Sequence, residues 1–340
     1  MKNKYSIPER YKNHKVWSYS KLTSFEDCPY SFYLQRIKKV KSKDNIWSIL
    51  GSISHEVIER LIKKEINRAQ AKEMFLEKLN DCEITGINFP SKKIEDNYKK
   101  SILHYLSMFE LPDVKDFHIE RKEFLKLPNN NVLMGFIDFI LLHNDDTVEI
   151  RDFKTSSKFS KDELAKKARQ LIIYSEMIKQ RYRKIKEIKV SYDMLKYAVV
   201  RYKDFKRTKT VERHKLVLLL RDKIEKDLLE VGYSEIEVDE IVIDAISKNK
   251  IPEKIKNNYT IEPYILYYSY GDTEINELYE WLEDIIQEIE ESIEYPAKIE
   301  DDDSCEFWCK YLCGVSDECK FYKEFINKEY NEIAEDDDLF

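Results

Sequence analysis

The eight residues IRDFKTSS, at positions 150–157, place an aspartate and a lysine two residues apart, Asp152 and Lys154. Side chains alternate along a β-strand, so both should project from the same face of a sheet. A second apolar run, GFIDFILL, is interrupted by Asp138. If these two runs are strands joined by the turn at 143–146, two acids and a lysine converge at the centre of a sheet.

Two interpretations of Asp138 are open at this level. A carboxylate buried in an apolar strand costs several kcal/mol unless it is paired or bound to a metal. A buried ion pair with Lys154 or Arg151 satisfies Asp138 without any chemistry. His55, in GSISHEVIERL, lies on the apolar side of a helical pattern, where a histidine is usually a satisfied core residue. The acid-x-Lys triplet is short enough to occur by chance, so the surrounding sequence has to distinguish the interpretations.

The elements that position these residues follow from periodicity and turn signals. The turns PNNN and HNDD make the first three predicted strands an antiparallel meander. Strands are predicted at 117–127, 131–142, 147–155, 187–199 and 263–270. Helices are predicted at 18–36, with a turn at Cys28–Pro29, and at 51–82, 91–109, 161–181, 208–256 and 273–294. Gln170 and Tyr174, four residues apart, share one face of the helix at 161–181.

The order of these pieces resembles a known group of enzymes. The chain presents SYSKLTSFEDCPYSFYLQRI, then GSISHEVIE, GFIDFI, IRDFKTS and QLIIY. These resemble the N-terminal signature, histidine helix, acidic strand, Asp-x-Lys strand and Gln-x-x-x-Tyr helix of the RecB-type branch of the PD-(D/E)XK nuclease superfamily. The resemblance spans residues 18–319 and is weakest between 200 and 260. It implies an α/β fold, a restriction-endonuclease-like core with a central mixed sheet flanked by helices, plus helical additions and a cysteine-cluster staple.

The resemblance also implies an activity, that of a metal-dependent DNA exonuclease acting in DNA recombination, repair or processing. The implied cofactor is Mg²⁺ or Mn²⁺, since oxygen-rich ligation with one imidazole suits either ion. The implied protein ligands are His55, Asp138, Asp152 and the backbone carbonyl of Phe153. A non-catalytic DNA-binding subunit that keeps the fold is the alternative, and the intact set of ligands argues against it.

Roles for neighbouring polar residues follow from the same resemblance. Lys154 is expected to orient the attacking water or to offset negative charge on the phosphate. Gln170 and Tyr174 are expected to support that lysine or to contact the DNA backbone. Glu120 and Glu123, on the preceding strand, are interpreted as surface carboxylates. The alternative is that they contact the metal ligands without binding the metal themselves.

Cysteines occur near both ends of the chain, Cys28 alone and four more within CEFWCKYLCGVSDEC. Thiols this close in a reducing compartment are more often metal ligands than disulfides, and spacing does not separate zinc from an iron–sulfur cluster. Iron–sulfur members of the resembled branch place one cysteine ahead of the core and three at the end. The resemblance therefore implies a 4Fe–4S cluster, with zinc as the alternative and a zinc-stapled interaction protein as a rival function. The implied ligands are Cys28, Cys309, Cys313 and Cys319, with Cys305 as the alternate.

Charge is segregated along the chain, although the net charge is only −7. Residues 179–215 hold 14 Lys and Arg against 4 Asp and Glu, whereas residues 272–306 hold 15 acids against one lysine. Either block can be a solvated helix face. The basic block also contains five aromatic residues, a mixture that suits a phosphate backbone with stackable bases. We therefore predict DNA contacts from Arg201, Lys203, Lys206, Arg207 and Lys209.

Length and composition predict a single domain over residues 1–340. Its parts are an N-terminal helical region (1–110), a sheet core (111–200), a helical insertion (201–260), a C-terminal strand, helix and cysteine region (261–325) and an acidic tail (326–340). The sequence contains no apolar run near the ~20 residues that span a bilayer and no signal-peptide pattern, so a cytoplasmic protein without membrane contact is expected. The motif Gly-x₄-Gly-Lys-Ser/Thr is absent, so unwinding is expected to need a helicase or recombination partner. The ending EDDDLF is predicted to be a solubilising tail, with a docking peptide as the sharper alternative.

Overall fold

The computed structural model describes residues 6–203, 207–299 and 306–327. Its α-helices are α1 (Tyr19–Asp27), α2 (Pro29–Phe32), α3 (Ile46–Ile62), α4 (Arg68–Ile84), α5 (Lys92–Met108), α6 (Lys161–Arg181), α7 (Leu216–Leu219), α8 (Arg221–Glu230), α9 (Glu235–Lys248) and α10 (Asp272–Glu291). Its strands are β1 (Lys15–Trp17), β2 (Asp116–Lys126), β3 (Asn131–Leu142), β4 (Thr147–Lys154), β5 (Glu187–Tyr202), β6 (Thr208–Glu212) and β7 (Tyr259–Tyr268).

The strands form one mixed sheet. β2 pairs with β3 in antiparallel fashion along nearly its whole length, and β4 pairs with β3 only from Phe139 to Leu142. β1 runs parallel to the start of β3, and β4 runs parallel to β5. β6 and β7 both pair with β5 in antiparallel fashion. The predicted meander of β2, β3 and β4 is confirmed, because each of the two turns joins antiparallel neighbours.

Helices cover both faces of this sheet. Ile140 and Ile150 pack in one core against α1, α6 and α10. Phe139 and Leu141 point the other way and pack in a second core against α3, α4 and α5. Neighbouring residues of one strand thus enter opposite cores, as the two-residue period requires. The predicted α/β architecture, a central mixed sheet flanked by helices, is confirmed.

Two smaller units are added to this core. Helices α7 to α9 enclose a third apolar cluster against the ends of β5 and β6. A cysteine lobe joins the segment at 306–327 to the N-terminal turn at 33–37, through buried contacts that include Leu34, Val315 and Tyr322. Among the helices of the described ranges, none is both long and apolar enough to cross a bilayer.

The predicted helices at 51–82 and 208–256 are wrong in extent. The first is two helices, α3 and α4, because Lys64 takes a left-handed backbone (φ 58°) and Asn67 caps the new helix by accepting from the Gln70 amide. The second begins with a strand, since residues 208–212 pair with β5. Strand pairing across this β5–β6 hairpin overrides local helix propensity there.

Candidate active site

The two acids meet because of how β3 and β4 pair. The residue pairing between β3 and β4 ends at Phe139 and Arg151. The next residues on the two strands are Asp138 and Asp152, which therefore lie opposite each other, as the hairpin turn predicts. Beyond these two residues the strands separate, and the Phe153 amide donates a hydrogen bond to Asp138 Oδ2 at 3.1 Å. Asp138 and Asp152 are 9% and 2% exposed, so each carboxylate needs a partner inside the protein.

Two further residues with possible metal-ligand atoms lie beside Asp138, and they are His55 on α3 and Glu120 on β2. His55 Nε2 lies 2.8 Å from the Phe153 carbonyl oxygen, and its Nδ1 lies 3.4 Å from Asp138 Oδ2. One donor atom each from His55, Glu120 and Asp138 lie within 4.8 Å of one another. One imidazole nitrogen with carboxylate and carbonyl oxygens is a donor set that Mg²⁺ or Mn²⁺ accepts. These residues therefore fit a divalent ion, and we call them the donor group.

Asp152 faces Lys154 instead of the donor group. Its Oδ2 lies 2.7 Å from Lys154 Nζ, and its carboxylate is not among the three grouped ligand atoms. The alternative in which Asp138 pairs with Lys154 or Arg151 is wrong, because Arg151 forms its ion pair with Glu149 at 2.6 Å. Three of the four predicted metal ligands thus lie together, namely His55, Asp138 and the Phe153 carbonyl, while Asp152 lies beside them in an ion pair with Lys154.

The donor group shifts two pKa values. Burial opposes protonation of His55, but the Asp138 carboxylate outweighs burial and raises the pKa of His55 to about 9. Burial raises the pKa of Asp152, the Lys154 ammonium opposes that rise, and the negative charge of Asp138 adds to it. Negative potential is thus concentrated where His55 meets the acids, which favours a cation at that place.

A chain of hydrogen bonds holds the lysine. Lys154 Nζ donates to Gln170 Oε1 at 3.1 Å, and Gln170 Nε2 donates to the Tyr174 hydroxyl at 2.9 Å. Both residues lie on α6, which packs on the sheet face that carries Asp152. Gln170 thus contacts the lysine directly, and Tyr174 contacts it only through Gln170.

The ring of Tyr174 packs directly against the backbone of Gly135. A methyl group in place of its hydrogen would lie 2.7 Å from Tyr174 Cε1, closer than real contacts allow. β3 can pass beneath the tyrosine ring only because residue 135 has no side chain. The glycine three residues ahead of Asp138 is therefore needed for packing, and through Tyr174 it affects the lysine.

Gly135→Ala is expected to reduce kcat by up to about 10²-fold, because a shift of Tyr174 moves Gln170 and the lysine by a fraction of an ångström. The measurement is kcat and KM on a DNA substrate, with the melting temperature recorded in parallel. Gly51→Ala is the matched control, since no atom lies within 4 Å of its new methyl group and α3 gains helix propensity. An unchanged kcat in a folded Gly135→Ala protein contradicts this role.

Glu120 is the residue that sequence reasoning undervalued. Pairing of Ile119 with Phe139 and of Arg121 with Ile137 brackets Glu120, and places it opposite Asp138. Its backbone is left-handed (φ 48°), an uncommon state for a non-glycine residue and one that occurs often at functional sites. An antiparallel register that starts at the PNNN turn and continues residue by residue along both strands places Glu120 opposite Asp138. The sequence therefore contained enough information to predict this position.

Glu123 is not a surface carboxylate, and the interpretation above is wrong for it. Its side chain is 1% exposed and accepts from Arg181 at 2.7 Å. Arg121 lies 2.8 Å away on the same strand. The buried Glu123 carboxylate is therefore paired with two arginines that reach the surface, and the pair with Arg181 joins β2 to α6.

Four cysteines from both ends of the described chain line one small cavity, and they are Cys28, Cys309, Cys313 and Cys319. Cys28 Sγ accepts a hydrogen bond from the Ser31 amide at 3.5 Å, and the Ser31 hydroxyl lies 3.6 Å from Cys313 Sγ. These four cysteines form no disulfide with any described residue. Four soft sulfur donors around one cavity fit a zinc ion or an iron–sulfur cluster. Cys305, the alternate ligand, lies outside the described residues.

Some cations of the basic block are paired with neighbouring acids. Lys203 pairs with Asp227 and with Glu230, both at 2.9 Å. Exposed cations of the block remain at the β5–β6 hairpin, and they are Arg201, Arg207 and Lys209. Lys206 and the acidic tail at 328–340 lie outside the described residues.

The hairpin lies far from the acids. Tyr192 is the β5 partner of Asp152. At about 3.3 Å per residue, Arg201 is roughly 30 Å further along β5. Phosphate contacts at the hairpin would therefore involve nucleotides distant from the donor group.

A mixed sheet with helices on both faces and two acids at the point where its central strands separate defines a restriction-endonuclease-like α/β protein. The chain belongs to the PD-(D/E)XK nuclease superfamily, whose family model matches residues 16–320. No curated protein matches the chain. A solved structure from Eubacterium rectale, provisionally named an exonuclease, is 9% identical with a TM-score of 0.43, over 88% of this chain and 92% of that chain. At this TM-score the likeness says nothing about activity.

Proposed function

We propose that the chain is a metal-dependent exonuclease that hydrolyses DNA from its ends. The observation that carries the proposal is the donor group beside the Asp152–Lys154 pair. The preference for ends is supported by the order of the sequence motifs, which resembles the RecB-type branch. The metal ligands in this proposal are His55, Asp138, Asp152 and the Phe153 carbonyl, with Glu120 added from its place beside Asp138.

Each side chain of the proposed active site has a separate role in phosphodiester hydrolysis. A divalent ion in the donor group supplies polarisation of the scissile phosphate and a lower pKa for the attacking water. The Lys154 ammonium offsets negative charge that develops on the phosphate. Gln170 holds that ammonium before substrate arrives, so little reorganisation is needed during the reaction. Tyr174 keeps the Gln170 amide in the orientation that accepts from the lysine.

End-labelled linear DNA beside circular DNA, with Mg²⁺ or Mn²⁺, tests this function. Linear single or double strands are expected to be shortened from an end, circular DNA to stay intact, and EDTA to stop the reaction. Cleavage of the circle identifies an endonuclease and contradicts the preference for ends. DNA binding without hydrolysis in either ion identifies a non-catalytic DNA-binding subunit.

The cysteine cavity is proposed to hold a 4Fe–4S cluster that fastens the two ends of the described chain. Support comes from the four thiols lining one cavity and from the split arrangement of cysteines in the resembled branch. The cluster lies in the cysteine lobe, and its proposed role is structural. Zinc is the alternative metal, and elemental analysis of protein purified without oxygen distinguishes the two.

Reversing the charges of Arg201, Arg207 and Lys209 is expected to weaken DNA binding, because three phosphate contacts are lost. The slope of log K against log salt should become flatter by roughly 0.7 to 0.9 for each contact. The measurement is fluorescence anisotropy across a salt series. Lys203→Gln is the internal comparison, and it is expected to change the slope little because Asp227 and Glu230 already neutralise Lys203. An unchanged slope in the triple variant contradicts phosphate contacts at the hairpin and means that its cations are only solvated.

A further inference from the structure

Residues 36–43, with the sequence RIKKVKSK, form a second basic surface outside the predicted block, and we call it the basic segment. It contains five cations, and no acidic residue occurs between Asp27 and Asp44. The segment joins the turn at 33–37 to the start of α3. Concentrated positive charge without acids is the sequence feature of a phosphate-binding surface.

All five cations of the basic segment are exposed, and those other than Lys43 are Arg36, Lys38, Lys39 and Lys41. In the part of the chain that the structure describes, none of these four forms an ion pair with a carboxylate, whereas Lys43 pairs with Asp317. In the basic block, Lys203 and Lys215 are paired with acids, while Arg201, Arg207 and Lys209 stay exposed at the β5–β6 hairpin. Among the described residues no carboxylate compensates the four cations of the segment, so their charge is available to an external anion.

The backbone of the basic segment is held in place on both sides. The Lys38 and Val40 amides donate to the Tyr33 and Leu34 carbonyls at 2.9 Å. The Lys43 amide donates to the Gly314 carbonyl of the cysteine lobe at 2.7 Å. This approach is so close that a methyl group on Gly314 would lie 2.5 Å from the Lys43 carbonyl oxygen. A surface fixed before binding loses less conformational entropy when a ligand arrives.

The basic segment leads directly into the helix that carries His55. At about 1.5 Å per residue, His55 lies roughly 14 Å along α3 from Ile46. One strand of a duplex carries a phosphate about every 3.4 Å, so this span corresponds to about four nucleotides. Arg201 of the β5–β6 hairpin is roughly 30 Å along β5 from the strand partner of Asp152, which is about twice this span.

A further cation converges on the basic segment from α1. The Lys21 ammonium lies 3.9 Å from the centre of the Trp17 ring. Burial lowers the pKa of Lys21, and the charges of Arg36 and Lys39 lower it further. Cations from two separate elements thus raise the potential of one region.

We propose that the basic segment binds the phosphate backbone of a DNA strand a few nucleotides from the bond that is cut. This inference rests on the proposed function and adds to it the surface that holds the strand near the donor group. A nucleic acid fits better than a lipid surface, since the segment exposes a single large apolar side chain, Ile37, and has no apolar face to insert.

The test replaces the four segment cations that form no ion pair in the described residues, as Arg36→Gln, Lys38→Gln, Lys39→Gln and Lys41→Gln in one protein. The matched control removes four other exposed cations that also form no ion pair there and that lie outside both basic regions, as Lys64→Gln, Lys93→Gln, Lys100→Gln and Lys254→Gln. Binding of a labelled single-stranded oligonucleotide is measured in EDTA over a salt series, so the result does not depend on cleavage. Melting temperatures and binding to vesicles of anionic lipid are measured beside it.

The segment variant is expected to keep the wild-type melting temperature, and its log K against log salt slope should be flatter by about 3, or 0.7 for each lost contact. The control variant should retain the wild-type slope. An unchanged slope, equal changes in both variants, loss of vesicle binding alone, or a wild-type chain that binds no DNA each overturns the proposal. A wild-type chain that binds DNA through the segment but never cleaves it overturns only the proposed activity.

Discussion

Asp138→Asn is expected to lose at least about 10³-fold in nuclease activity together with the binding of Mn²⁺. The substitution keeps the shape of the side chain and an acceptor for the Phe153 amide, but it removes the negative charge that faces His55. The contribution of a bound metal to transition-state stabilisation is several kcal/mol, and about 4 kcal/mol corresponds to this factor. Activity is measured on end-labelled DNA, and metal binding by titration calorimetry.

Lys154→Ala separates charge stabilisation from metal binding. Activity is expected to fall by about 10²- to 10³-fold, because one preorganised cation at the phosphate is removed. Mn²⁺ binding should persist, since Lys154 contacts Asp152 and Gln170 and does not belong to the donor group. Asp152→Asn is expected to lose activity as well, because Lys154 loses its charged partner and the proposed metal loses a ligand.

Asp116→Asn provides a control for these variants, as it changes an exposed acid on β2, the strand that carries Glu120. It should retain wild-type turnover and Mn²⁺ affinity. Wild-type turnover of Lys154→Ala at saturating Mn²⁺ contradicts the assignment of the active site. Retained Mn²⁺ affinity in Asp138→Asn places the metal elsewhere in the chain.

Replacing a cluster ligand is expected to have the second large effect. Alanine at a ligand position should give colourless protein without iron, because the cluster needs its thiolates. Loss of a cross-link that closes a long loop costs about 5 kcal/mol by analogy with disulfides, or roughly 10 °C in melting temperature. The four variants are Cys28→Ala, Cys309→Ala, Cys313→Ala and Cys319→Ala.

The effect should reach the active site through α3. Asn45 caps this helix by accepting from the Ser48 amide at 2.9 Å, and its side-chain amide donates to the Leu312 carbonyl at 3.1 Å. The start of α3 is therefore attached to the cysteine lobe, and His55 lies further along the same helix. Ligand variants are expected to lose nuclease activity together with iron.

Cys82→Ala is the matched control, because Cys82 is a buried thiol of α4 in a different core. It should keep its iron, with a stability loss of only about 1 to 2 kcal/mol. Cys305→Ala is also expected to keep its iron and its melting temperature. If Cys305→Ala loses iron and Cys309→Ala retains it, Cys305 is the ligand and Cys309 is not. Zinc in the wild-type protein contradicts the iron–sulfur cluster itself.

Features with a local cause were predictable from the sequence. Asp152 and Lys154 share a face because strand side chains alternate, and β3 and β4 are antiparallel because a short turn joins them. Helix α6 begins after Ser160, whose hydroxyl accepts from the Glu163 amide while the Glu163 side chain accepts from the Ser160 amide. Such capping acts within one helical turn, so the start of this helix could be read from its own residues.

Tertiary structure alone decided how distant segments meet. His55 contacts Asp138 because the apolar face of α3 is buried against the sheet, and an amphipathic pattern shows that a face is buried without showing against what. The same holds for the hydrogen bond from the Asn45 side chain to the Leu312 carbonyl, which attaches the start of α3 to the cysteine lobe. Contacts between distant segments depend on the packing of the whole chain, because the cost of closing long loops is recovered only when apolar surface is buried between them.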